Sequence, residues 1–227
     1  MMRTDRLALL AVAGVASLAV VLATMHAIQP GLSPVAHFVS EYAHGQLGWL
    51  VTLGYVLAGA GTLVLAWRLV AQLGSGRWAL ASAACLASVS VGLVATGLTR
   101  IDIAHADGTV NSTVSGQIHE LASYIAVLGL IAAGFAIPAT FRRDPCPLGG
   151  SSVFRLYGWT MLAAFAGTLV AQRLDMIGLG QRVFLAVAIS WLMYVGIRVS
   201  GVPLRAARTA VGRSPGLVRR EDTERAR

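Results

Sequence analysis

Six long apolar runs decide what this chain can become: Leu7 to Met25, Leu47 to Leu73, Trp78 to Thr99, Ile118 to Phe141, Phe154 to Ala171 and Gly178 to Val199. Each approaches or exceeds the roughly 20 residues that carry an α-helix across a hydrocarbon core of about 30 Å. Lipid offers no hydrogen bonds to an open sheet edge or an irregular segment, so such runs satisfy their backbone groups by coiling into helices. The rest of the composition agrees, with 12% of residues charged and 56% hydrophobic, against roughly 25% charged in a soluble domain. The predicted fold class is all-α, a polytopic membrane bundle of six transmembrane helices. The first run follows Met1-Met2-Arg3-Thr4-Asp5-Arg6, a start that a secretory signal would share. It outruns the roughly 7–15-residue core of a signal peptide, and no convincing small-x-small cleavage site follows, so it reads as a retained helix.

The arginines orient the bundle. All 18 basic residues are arginines, for a net charge of +8. Arg3, Arg6, Arg68, Arg77, Arg142, Arg143, Arg155 and Arg198 fall on one side together with those of the tail, while Arg100, Arg173 and Arg182 fall on the other. The positive-inside bias then places the N and C termini in the cytoplasm. Arginines flanking apolar runs meet anionic lipid head groups, so membrane lipids are the expected partners and nucleic acid is not. Residues 1–202 form the expected six-helix transmembrane domain, and the Arg-rich residues 203–227 read as a disordered cytoplasmic tail. Abundant Ala, Gly, Val and Leu with no lysine suggests a GC-rich bacterial genome, and so a multi-pass protein of the bacterial plasma membrane. Cys85, within a run, and Cys146, in a loop, lie at different depths and are not expected to pair.

Polar chemistry gathers on the outer side. His26, His37, His44, His105 and His119 all map there, with Glu41, Asp102, Asp107, Glu120 and Asp175. An ionisable group at membrane depth costs about 2.5–3.5 kcal/mol even on a lenient insertion scale. One outward-facing polar pocket is therefore expected, with His37, Ser40, Glu41, His44, Asp102, His119 and Arg182 as candidates. Ser33 suits an N-cap, Pro34 a first helical position and Gly45 a stop, which predicts a short extra outer helix before the second span. On such a helix His37, Glu41 and His44 share one face.

Several chemistries compete for these residues. Imidazole and carboxylate are ligands of zinc and other divalent ions, so His37, Glu41, Asp102 and His119 could form a metal set. The spacing matches no established zinc motif, however, and i to i+7 covers about 10.5 Å of helix axis. A hydrogen-bonded structural network is the competing reading, with substrate binding or a proton relay beside it. Asp102 and His119 are expected to face each other at similar depth, the carboxylate orienting the imidazole. An ordinary ion pair involving Arg100 is the plainer alternative. Ser40 near an acid and a histidine invites a hydrolase reading, but no Gly-x-Ser-x-Gly elbow is present. Arg182, costly in lipid, is expected to turn inward to a carboxylate such as Glu41 or Asp102, or to a lipid phosphate.

Small residues such as Gly54, Gly59 and Gly61 in the second run and Ser90 and Gly92 in the third read as faces for close helix packing.

Pro34 through Val39-Ser40-Glu41-Tyr42, Asp102 after the third run, Gly116-x-x-His119 opening the fourth, and Gly178-Leu179-Gly180-Gln181-Arg182 with Trp191 in the last form a recognisable set. Across roughly residues 7 to 200 the chain resembles the bacterial six-helix membrane family catalogued as domain of unknown function 998. After Asp102 it carries Ile103-Ala104-His105-Ala106, where the family often has a proline and a compact turn. The resemblance implies a multi-pass plasma-membrane protein and supplies no established reaction. The leading expectation is a membrane protein whose outer pocket binds a lipid head group or small solute. A metal-dependent membrane hydrolase acting on a lipid at the outer leaflet, and a small transporter, are the alternatives.

Overall fold

The computed structural model describes residues 6–74, 76–103, 109–141 and 151–201. Among them are six long helices: α1 (Arg6–Ile28), α2 (Trp49–Leu73), α3 (Arg77–Leu98), α4 (Val114–Phe141), α5 (Ser151–Arg173) and α6 (Ile177–Ser200). All six are long and apolar enough to cross a membrane. At about 1.5 Å per residue they measure roughly 33–42 Å, enough to span the hydrocarbon layer and enter both interfaces. The helices follow the apolar runs and differ mainly at their ends. α4 starts at Val114, ahead of the apolar residues, because the Thr113 hydroxyl caps it by accepting from the Gly116 N–H at 3.0 Å.

Consecutive helices are neighbours, and α6 returns to pack on α1, so the six form a closed ring; α2 also touches α6 across it. In the most apolar stretch of each helix half of α2 and of α4 is buried, against 17% in α5 and 22% in α1. α1 and α5 therefore present most of their surface outward, as helices facing lipid do.

Lipid tails are as apolar as leucine, so helices in a membrane hold together by close contact. Glycines supply that closeness. A Cβ on Gly61 of α2 would lie 2.5 Å from the Ala11 carbonyl oxygen of α1, and one on Gly92 of α3 would lie 2.6 Å from the Ala122 carbonyl oxygen of α4. Gly134 of α4 and Gly158 of α5 abut in the same way. Polar ties supplement this packing: the Ser90 hydroxyl donates to the Gly59 carbonyl at 2.8 Å, and Gln72 Nε2 donates to the Val199 carbonyl at 2.7 Å. Arg68, expected as a flanking interfacial arginine, is 2% exposed, with its guanidinium carbon 5.7 Å from the Trp67 ring centroid.

The connection of residues 29–48 crosses the end of the bundle as a strap. The expected short α-helix from Ser33 to Gly45 is not continuous. Ser33 closes a single turn, accepting from the Val35 and Ala36 N–H groups at 3.3 and 3.4 Å on its hydroxyl and from His37 N–H at 3.0 Å on its carbonyl. Phe38 is then extended (φ −63°, ψ 149°), and a 3-10 helix runs over Val39–His44. The break has a cause in the neighbouring helix: α6 side chains take the His37 carbonyl and the Val39 N–H, groups that a continuing helix would have needed. His37 thus lies outside the helical turn, and the shared face of His37, Glu41 and His44 does not form. The predicted tail, Arg142, Arg143, Cys146, His105 and Asp107 lie outside the described residues.

Candidate functional site

The run Gly178-Leu179-Gly180-Gln181-Arg182 at the start of α6 is a docking platform for the strap. Gly178 must lack a side chain, since a Cβ there would sit 2.3 Å from the His37 carbonyl oxygen and 2.8 Å from Arg182 Nη1. The Leu179 N–H donates to the Val35 carbonyl at 3.1 Å. Gly180 instead faces α5, where a Cβ would lie 2.8 Å from Thr168 Cα. Gln181 Oε1 accepts from the Val39 N–H at 2.7 Å. Arg182 Nη1 donates to the carbonyls of His37 (2.8 Å) and Gly178 (3.0 Å), and its Nη2 donates to the Tyr42 hydroxyl at 3.2 Å. The expected carboxylate partner for Arg182 is therefore replaced by carbonyls and by Tyr42, whose ring centroid lies 5.7 Å from the guanidinium carbon.

Within the strap, Glu41 Oε1 accepts from the Phe38 N–H at 2.8 Å, and its carboxylate holds the start of the 3-10 helix. His44 reaches across to the α3–α4 connection, Nε2 donating to the Ile101 carbonyl at 2.8 Å. Both Glu41 and His44 act on backbone.

A second platform is built at α4. The Thr113 N–H and hydroxyl donate to Asp102 Oδ2 and Oδ1 at 2.9 and 2.7 Å. The Thr113 N–H, then its hydroxyl, hold the Asp102 carboxyl below the usual carboxylate range, with His44 and His119 adding smaller electrostatic contributions. A Cβ at Gly116 would fall on the Asp102 carboxylate, so that glycine admits the carboxylate to the head of α4, where the helix dipole also favours negative charge. His119, 4% exposed, gives its Nδ1 proton to the Thr99 carbonyl at 3.1 Å. The expected Asp102–His119 pairing is thus divided: each side chain ties α4 to a different point of the preceding connection.

Two cavities flank this framework. A crevice of about 370 Å³ opens among α4, α5, α6 and the strap. Its polar lining includes Ser40, Asp102, His119, Glu120, Gln172 and Gln181; Val127, Phe165, Leu169 and Phe184 line its apolar part. Glu120 and Gln172 have no protein partner among the described residues. A groove of about 430 Å³ runs between α1 and α6, with His26, Tyr42 and Arg182 above Leu22, Leu185 and Ile189.

The two share a wall. Along α6, Arg182, Leu185, Ala186 and Ile189 face the groove, while Ile177, Gln181 and Phe184 face the crevice, as spacings of three and four residues on a helix require. In the strap, Val39 and Tyr42 belong to the groove and Phe38 and Ser40 to the crevice. Of the expected single pocket, Ser40, Asp102 and His119 meet in the crevice, Arg182 stands on the other side, and His37, Glu41 and His44 line neither cavity. Among the described residues no three His, Cys, Asp or Glu side chains gather closely enough to hold a metal ion, so His37, Glu41, Asp102 and His119 are not assembled as a ligand set.

The functional residues that sequence reasoning passed over were Tyr42, which entered only as part of the family pattern, and Gln172, a lone amide at the end of α5.

Residues 11–198 match the family described as protein of unknown function (DUF998). The chain belongs to this family. The match takes in both docking platforms and all the residues that line the two cavities. No curated protein and no solved structure matches the chain. As a member of this family, the protein is a multi-pass membrane protein with six apolar helices.

Proposed function

We propose that this member of the family is a binding protein of the plasma membrane that takes the head of an amphipathic molecule into the α4–α5–α6 crevice from the outer side. The observation that carries this reading is the layering of the crevice. Hydrogen-bonding groups occupy its strap end, while aromatic and aliphatic side chains continue below, the arrangement that suits a ligand with one wet and one oily part. Among the described residues that line it are two carboxylates, Asp102 and Glu120, and no arginine. Asp102 is already committed to Thr113, which leaves Glu120 to meet the ligand. A head group bearing an ammonium or several hydroxyls fits this lining; an anionic one is repelled.

The test uses the full chain in lipid nanodiscs and phosphatidylethanolamine as probe, with phosphatidylglycerol as the anionic control. Photo-crosslinking from position 124 or 169 at the crevice should capture phosphatidylethanolamine in preference. Glu120→Gln should weaken that capture by roughly fivefold, as expected for about 1 kcal/mol of exposed charge pairing. Equal capture of the two lipids, or an unchanged Glu120→Gln variant, would remove the reading.

A further inference from the structure

The groove between α1 and α6 carries the opposite electrostatics. Its walls are Ala19, Leu22 and Ala23 from α1 and Leu185, Ala186 and Ile189 from α6, and its head is formed by Arg182, Tyr42 and His26. A guanidinium has five N–H donors, and Arg182 directs three hydrogen bonds at groups of the described residues. None of its acceptors is a carboxylate, so the positive charge is oriented by dipoles and a ring face and left without an anionic partner among the described residues. In a membrane interface such a charge attracts an anion.

The hydrogen-bond chain runs on through Tyr42 to His26. The Tyr42 hydroxyl oxygen accepts from Arg182 Nη2, and the same hydroxyl meets His26 Nδ1 at 2.5 Å and the Leu32 carbonyl at 3.5 Å. Arg182 and His26 therefore stand on either side of Tyr42 at the head of an open, apolar channel. The small side chains Ala19, Ala23 and Ala186 leave its length clear, and each is exposed.

We infer that this groove is a binding site for an anionic phospholipid, with the phosphodiester against Arg182 and one acyl chain lying between α1 and α6. This site is independent of the crevice: it has different lining residues, lies on the other face of α6 and prefers the opposite charge.

The experiment is lipid retention by the purified full-length protein, read by native mass spectrometry after exchange into detergent containing equal phosphatidylglycerol and phosphatidylcholine of matched chains. Wild type should retain phosphatidylglycerol over phosphatidylcholine by about fivefold, the effect of one basic side chain near an anionic head group. Arg182→Gln should abolish the preference. Because Arg182 also holds the strap, a second variant keeps the test decisive: Ala186→Phe fills the channel, touches none of the Arg182 bonds and should reduce retention of both lipids. Equal retention of the two lipids by wild type, or undiminished retention by Ala186→Phe, would overturn the inference. So would displacement of the lipid by inorganic phosphate, which would make Arg182 a simple anion site with no use for the groove.

Discussion

The crevice and the groove are separated by one helix and one turn of strap, yet they are chemically opposed. Facing α5, α6 shows Gln181 and Phe184 to a space whose charged lining residues are acidic; facing α1, it shows Arg182 and Ile189 to a space whose head is basic. Adjacent residues on a helix point about 100° apart, so Gln181 and Arg182 serve different cavities although they are neighbours in sequence. The lesson is that ionisable groups gathered at one end of a bundle need not share a pocket. Here the strap sorts them.

That comparison can be broken most severely at the shared wall. Gly178→Val forces a side chain against the His37 carbonyl and Arg182, and overpacking of this kind costs about 3 kcal/mol at the upper end. We expect a lower thermal midpoint in detergent and parallel loss of lipid capture at both cavities. If only one cavity is affected, the wall is not shared. Tyr42→Phe is gentler and one-sided. It removes the hydroxyl between Arg182 and His26, at about 1 kcal/mol, and should weaken retention of phosphatidylglycerol while crosslinking at the crevice stays at wild-type level.

The smallest effect concerns acid. A carboxyl held below its ordinary value of 3.8, as the Asp102 carboxyl is by Thr113, stabilises the folded form fully above that value and loses the contribution as the pH falls through the folded-state value. The gap in thermal midpoint between wild type and Asp102→Asn should stay constant from neutral pH down to about 4 and close in stronger acid. A gap that closes near neutrality would mean that another group, such as a histidine, supports the α4 platform.

The two platforms also mark how far the sequence could be read. Gly178 to Arg182 and Gly116 with His119 are legible as a pattern in the sequence, and each holds a connection against a helix head. Their chemistry was misassigned where it depended on partners distant in the chain. Arg182 was paired with a carboxylate because charge seeks charge in oil. The carbonyls of His37 and Gly178 and the Tyr42 hydroxyl meet it instead, and no local spacing reveals a carbonyl presented from 145 residues away. The outer helix was drawn from Ser33 to Gly45 on good capping residues. It broke at Phe38 because α6 competed for its backbone groups, an interaction that intrinsic preference does not contain.

By itself the sequence determined six membrane-length helices and the polar character of one end of the bundle. Hydrophobic length and the absence of backbone partners in lipid act locally, along each run. Tertiary structure alone decided that α6 and the strap would divide that polar end in two. Which side chains meet depends on helix rotation and on the close approaches at Gly178, Gly116 and Gly180, where the lack of a Cβ lets one backbone occupy another's side-chain space.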